Sequence, residues 1–204
     1  MIHVGTSGWS YPSWRGGFYP TGADPKTFLA FYSERFDTVE LNTTGYRLPS
    51  EDQFARWAAQ TPAGFTFAVK MPVTRLDRVG TFVESVTGLG DRLGPVRVVV
   101  QSARDDGLLA FLQGSLPLDL AVAYDFRHES WDEVGGVVRV NDFDAEPFRY
   151  IRLREPPYSE DDLRALARRL RPPAHVFFRH EDEATAPEYA QRLVQIVADD
   201  HSSE

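Results

Sequence analysis

The densest concentration of reactive side chains is the run DFRHESW at 125–131, where Asp125, Arg127, His128 and Glu129 follow one another closely. An imidazole titrates near neutrality, so His128 could act as a general acid or base. Glu40 is the carboxylate to pair with it, and Asp125 is a second acid at the same strand end. Lys70 could move a proton, anchor an anion or, if desolvated, form a Schiff base. These four, Glu40, Lys70, Asp125 and His128, form the candidate catalytic set. Around them stand Arg127, Arg152, Arg154 and Arg179. Guanidinium groups grip phosphate or carboxylate through a planar fork, so an excess of them points to an anionic ligand. Two structural readings compete. His128 could simply cap a strand end, and Glu40 and Asp125 could pair with Lys70 and Arg127 to hold the site together without chemistry.

Such residues need a scaffold, and the chain alternates β-rich runs with amphipathic stretches, the pattern of a parallel sheet covered by helices. Strands are expected at about 2–6, 38–42, 65–70, 96–101, 120–127, 137–141, 149–154 and 175–179. Helices fit about 25–36, 50–60, 79–88, 105–114, 159–170 and 185–199. Ser159, with Asp162 three residues on, marks a helix start. Eight strands suggest a parallel (β/α)8 barrel in one domain over residues 1–204. The stretch 128–148 is too short for the crossover helices expected around strands five to seven, so the barrel should be shortened or distorted there.

Strand side chains alternate between faces, and the apolar ones should face the helices. That leaves Thr38, Glu40 and Asn42 inward on the second strand, and Thr66, Ala68 and Lys70 on the third. Ala123, Asp125 and Arg127 point inward on the fifth strand, and Arg152 and Arg154 on the seventh. Gln101 has the parity opposite to Val98 and Val100, while Arg179 shares its face with Phe177. The polar inward residues are mostly the last of each strand, where barrel enzymes carry their working groups.

The first strand runs into GTSGWSYPSWRGGFYP (5–20), a glycine- and proline-marked loop rich in aromatic residues. Trp14, Phe18 and Tyr19 read as the loop's own hydrophobic cluster. Trp9 and Tyr11, nearest the strand end, read as site residues able to stack a ring. With Asn42, Tyr46, Gln101, Arg127, Arg152, Arg154 and Arg179 they make up the expected substrate-binding set.

Composition narrows the classes of function. The 204 residues carry a formal net charge of -8, which disfavours generic binding of nucleic acid or anionic membrane. There is no cysteine, so disulfides, thiolate metal sites and cysteine nucleophiles are excluded, and a reducing cytoplasm fits. No apolar run is long enough to span a bilayer, and no basic leader precedes the first strand. Gly88, Gly90 and Gly94 lack the spacing and preceding strand of a nucleotide loop. No cofactor is expected. Glu40, Asp125, His128, Asp142, His180 and Glu181 leave a divalent metal open as an alternative, although no HExxH or paired-histidine spacing supports it.

Several blocks in order, GTSGWSY (5–11), FDTVELNTTGYRLP (36–49), FTFAVKMP (65–72) and DFRHESW (125–131), resemble the YecE-like family, a domain of unknown function. YIRLREPPYS (150–159) and HVFFRHEDEATAPEYAQRL (175–193) resemble its last two strands more loosely. The resemblance implies an eight-stranded β/α barrel, related in shape to sugar isomerases and endonuclease-IV-type nucleases, which use carboxylate and histidine metal sites. It implies no activity. The chain departs from the family pattern at Gly45, where an aromatic residue is usual, at Arg154, where histidine is usual, and at Arg179 and His180, where amides are usual. The helix between strands five and six is also missing. These changes make the expected pocket more basic and its rim barer. Three readings follow: an enzyme (isomerase, lyase or hydrolase) acting on a small phosphorylated or carboxylated substrate; a nucleic-acid-binding or endonuclease-like protein; and a non-catalytic ligand-binding module. The first is favoured; oligomeric state is not legible.

Overall fold

The computed structural model describes residues 1–42, 44, 47–71, 73, 76–179 and 182–201. Its strands are β1 (Ile2–Thr6), β2 (Thr38–Leu41), β3 (Thr66–Met71), β4 (Leu93–Val100), β5 (Val122–Phe126), β6 (Val138–Arg139), β7 (Arg149–Leu153) and β8 (Ala174–Phe178). The α-helices are α1 (Phe28–Ser33), α2 (Glu51–Ala59), α3 (Val79–Val86), α4 (Asp106–Ser115), α5 (Glu160–Arg169) and α6 (Thr185–His201). Every strand pairing is parallel. Among the described residues, no helix is long and apolar enough to cross a membrane.

The strands do not form one continuous ladder. They make a three-stranded sheet, β1-β8-β7, and a five-stranded sheet, β2-β3-β4-β5-β6. The break between β6 and β7 falls where the barrel is expected to be distorted; the break between β1 and β2 is not anticipated, and no continuous eight-stranded ring is formed. Single parallel bridges, Ser7 to Glu40 and Val140 to Tyr150, join the sheets at their two seams. One cause is the expected shortage of chain. Between β5 and β6 there is only a 3-10 turn at Glu129–Trp131, and β6 is two residues long. Trp131 of that turn is fully buried, stacks on Phe126 at 4.5 Å and donates its indole N–H to the Ser102 carbonyl at 2.9 Å, so it fills part of the space a helix would cover. At the other seam the backbones come very close. A Cβ on Gly5 would lie 2.2 Å from the Thr38 carbonyl oxygen, so only glycine fits there.

The core is layered as strand alternation requires. Outward residues such as Val39, Leu41, Phe67, Val69, Val98 and Ile151 pack under the helices in the main cluster. Ala68, Ala123, Val138, Tyr150 and Phe177 belong to a second, smaller cluster on the opposite strand faces. On β3, β5, β7 and β8 these inward residues stand two positions before Lys70, Asp125, Arg152 and Arg179. An apolar plug thus underlies the polar strand ends. α5 closes the outer layer and begins with a complete capping box: Ser159 Oγ accepts from the Asp162 N–H at 3.2 Å, and Asp162 accepts from the Ser159 N–H at 2.9 Å. Acidic residues fill its first turn and Arg168 and Arg169 its last, matching the helix dipole. Ser159→Ala is expected to lower stability by about 1 kcal/mol without altering the fold, as read from urea unfolding.

Candidate functional site at the strand ends

Glu40 occupies the third position of β2 and is completely buried. A carboxylate there is tenable only if its lone pairs and charge are met. They are met by four side chains. Ser7 Oγ donates at 2.7 Å, Tyr150 OH at 2.8 Å and Arg97 Nε at 2.7 Å; Arg152 Nε reaches both carboxylate oxygens, at 2.9 and 3.2 Å. Burial alone would raise the Glu40 pKa. Arg97 and Arg152, helped by Ser7 and Tyr150, overcome that effect and hold it at about 2. Glu40 is therefore anionic throughout the neutral range. Burial, and then the Glu40 charge, push the Tyr150 phenol well above its ordinary value, so its proton stays on the oxygen.

Asp125, the fourth residue of β5, is the second buried carboxylate. Its Oδ2 accepts from Arg97 Nη1 at 2.7 Å, Arg127 Nη2 at 2.9 Å and Arg154 Nη2 at 2.8 Å. Arg97 thus ties the two carboxylates together, and its remaining nitrogen donates to Asn42 Oδ1 at 3.1 Å. The guanidinium groups form a gradient of exposure. The Arg97 and Arg152 side chains are 2% and 8% exposed, Arg154 is 22% and Arg127 is 39%. The inner pair holds the two carboxylates from within, and the outer pair reaches solvent.

Lys70 stands at the fifth position of β3, half-buried beside this network. Burial lowers its pKa first, and the charges of Arg97, Arg152 and Arg127 lower it further against the opposing pull of Glu40. Burial likewise lowers Arg154, partly offset by Asp125, and its Nε is buried without a hydrogen-bond partner. Tyr11 donates its hydroxyl to the Ser7 carbonyl at 2.9 Å, and burial together with the Glu40 charge raises its pKa to about 12.

The site brings together Glu40, Asn42, Asp125, Arg127, Arg152 and Arg154 by hydrogen bonds, with Lys70 and Tyr11 within reach of its field. Other expected members differ in placement. His128 is exposed and caps the 3-10 turn, its Nδ1 accepting from the Ser130 N–H at 3.2 Å and lying 2.9 Å from Ser130 Oγ. Gln101 and Arg179 are exposed just beyond β4 and β8. Trp9 is buried with its ring edge-on to Trp57, at 5.2 Å, and to Phe67, at 6.2 Å. Tyr46, His180 and Glu181 lie outside the described residues.

Four participants escaped the sequence reading: Ser7, Arg97, Asn141 and Tyr150. Arg97 sits inside the apolar run of β4, yet it shares parity with Gln101, and a charge in a buried strand demands a partner. Tyr150 shares the parity of Arg152. Asn141 follows β6 with φ +68°. Its side chain accepts from the Arg152 N–H at 2.6 Å and donates to the Arg152 carbonyl at 3.2 Å. It thus replaces the strand pairing that the two-residue β6 cannot provide beside Arg152.

The metal alternative fits this donor set poorly. Both carboxylates are already bonded to guanidinium groups, which repel a cation, and among the described residues no three His, Asp or Glu side chains gather to hold one. Glu40→Gln should leave Arg97 and Arg152 buried without their counter-charge and cost about 3–5 kcal/mol in urea unfolding. The pH dependence has a definite sign. The folded-state pKa of Glu40 is below the ordinary 4.5, so its contribution is full above pH 4.5 and is lost as pH falls toward 2. The wild-type protein should lose more stability across that window than Glu40→Gln.

With the geometry described, comparison with known proteins places the chain. The family model described as "Protein of unknown function DUF72" matches residues 3–146. The UPF0759 proteins YecE of Escherichia coli strains K12 and O157:H7 are each 30% identical over 141 residues, covering 63% of this chain and 49% of theirs. The chain therefore spans about half the length of the curated relatives it matches. The crystal structure of a DUF72 family protein from Thermotoga maritima MSB8 is similar, with a TM-score of 0.77 at 25% identity, covering 97% of this chain and 99% of that one. One from Enterococcus faecalis V583 shares the fold, with a TM-score of 0.74 at 16% identity, covering 97% and 98%. The chain belongs to the DUF72 family, whose function is unknown.

Proposed function

We propose that the eight strands act as one distorted barrel whose C-terminal mouth binds a small phosphorylated or carboxylated molecule and acts on it as an enzyme of the reducing cytoplasm. One observation carries this reading. Among the described residues, four guanidinium groups, of Arg97, Arg127, Arg152 and Arg154, share the two carboxylates Glu40 and Asp125. Simple charge pairing would need no such surplus, and an anion completes the balance. Glu40 and Asp125 fit the role of anchors for the guanidinium groups better than that of proton acceptors, since Glu40 is anionic and fully bonded. Lys70, with its depressed pKa, is the better candidate for proton transfer or nucleophilic attack. The reaction class is left among isomerase, lyase and hydrolase.

The test is a thermal-shift series with inorganic phosphate, sugar phosphates, sugar acids and short oligonucleotides. A ligand that binds only the folded state raises the midpoint, by about 2.7 kcal/mol of stabilisation at a hundred times its Kd. A small anion is expected to produce the shift, with a shallow dependence on salt. Arg127→Ala, at the exposed rim, should melt like the parent protein but lose the shift. A response to oligonucleotides alone, falling steeply with salt, would replace this reading with nucleic-acid binding. Unfolding of Arg127→Ala would mean that the surplus guanidinium groups only hold the barrel together.

A further inference from the structure

Beside the charged network lies a cavity of about 380 Å³ that the anion reading leaves unused. Trp9, Tyr11, Leu29, Leu41 and Trp57 form its apolar walls. The size is that of a small-ligand pocket. The two indoles meet at 88°, one ring edge-on to the other. This makes a corner in which a third planar ring can lie against one face and one edge, the arrangement aromatic quadrupoles favour. The exposed residues Ser10, Lys26 and Gln60 also line it and supply polar groups.

The cavity and the network share residues. Asn42 lines the cavity while its Oδ1 accepts from Arg97 at 3.1 Å. Tyr11 lines it while its hydroxyl bonds the carbonyl of Ser7, whose side chain bonds Glu40. Gly8 lines it too, and its N–H donates to the Glu40 carbonyl at 2.8 Å. An anion held by the guanidinium groups and a ring lying in the corner of Trp9 and Trp57 would then be two ends of one molecule.

We infer that this cavity is a second subsite that takes the planar aromatic part of the anionic ligand, so that the substrate class is an aryl or heteroaryl phosphate or carboxylate. The inference rests on the anion reading above and adds the specificity that reading lacks. Binding is measured by calorimetry with inorganic phosphate against phenyl phosphate, and with acetate against benzoate. Tryptophan fluorescence is recorded in parallel. Trp9 and Trp57 line the cavity and Trp14 and Trp131 do not, so a change on binding is assigned to the first two.

In at least one of the two pairs, the aryl compound should bind about tenfold or more tightly than its parent anion, the order that stacking on aromatic side chains provides, and should quench the fluorescence. Ser10→Phe, at an exposed position on the cavity wall, should abolish the preference and leave the affinity for the parent anion unchanged. Trp57→Leu should do the same, with its melting temperature confirming the fold. Equal affinities within both pairs would overturn the subsite while the anion reading stood. A preference that survived both variants would place the ring elsewhere and overturn it too. If no member of either pair bound, the anion reading would fail and the subsite with it.

Discussion

A carboxylate buried without compensation would neutralise itself or unfold its surroundings. Glu40 does neither, because Arg97 and Arg152 close on it from β4 and β7 while Ser7 and Tyr150 occupy its remaining lone pairs. Residues from both sheets therefore converge on one side chain. The seam between β1 and β2 is bridged at the same residue, by Ser7 and Glu40. Arg97 then extends the arrangement to Asp125, which collects Arg127 and Arg154 at the exposed rim. Remove the Glu40 charge and the reason for the inner guanidinium groups disappears; with them goes the order of the outer ones.

This dependence explains how the strand ends stay ordered although the β5–β6 connection is short. The segment after β5 holds one 3-10 turn in place of a helix, and β6 contributes two residues. Trp131 fills part of the outer layer, and Asn141 grips the backbone of Arg152 with both ends of its side-chain amide. Local bonds thus replace sheet pairing just where Arg152 must be aimed at Glu40. The left-handed backbone at Asn141 is conformationally costly for most residues, and asparagine is among the few that adopt it readily.

Much of this was legible in the sequence. Alternation of apolar and polar residues located the strands to within a few positions, and parity put Glu40, Lys70, Asp125, Arg152 and Arg154 on one face. That succeeded because most strands are covered on one side by helices, so that face must be apolar. The partners were harder. Arg97 lies in a valine-rich run where composition hides a single charge, and only its need for a counter-ion betrays it. Tyr150 reads as core until its hydroxyl is traced. Trp9 reads as a ring beside the site, but its setting edge-on to Trp57 and Phe67 is not legible, because residues distant in sequence decide what a loop aromatic touches. His128 attracts attention by type, whereas its neighbour Ser130 satisfies it locally. Pairing between distant strands depends on register and stagger, which no single strand's pattern contains.

The central claim is that the carboxylates at the strand ends serve to array guanidinium groups for an anion. The most direct measurement is a crystal structure of the protein soaked in tungstate, a heavy tetrahedral oxyanion that anomalous scattering locates without ambiguity. The expected result is a peak at the mouth whose oxygens lie about 3 Å from the Arg127 and Arg154 nitrogens, with Glu40 still bonded to Arg97 and Arg152. Tungstate bound only at remote surface arginines, with the mouth vacant at saturating concentration, would contradict it.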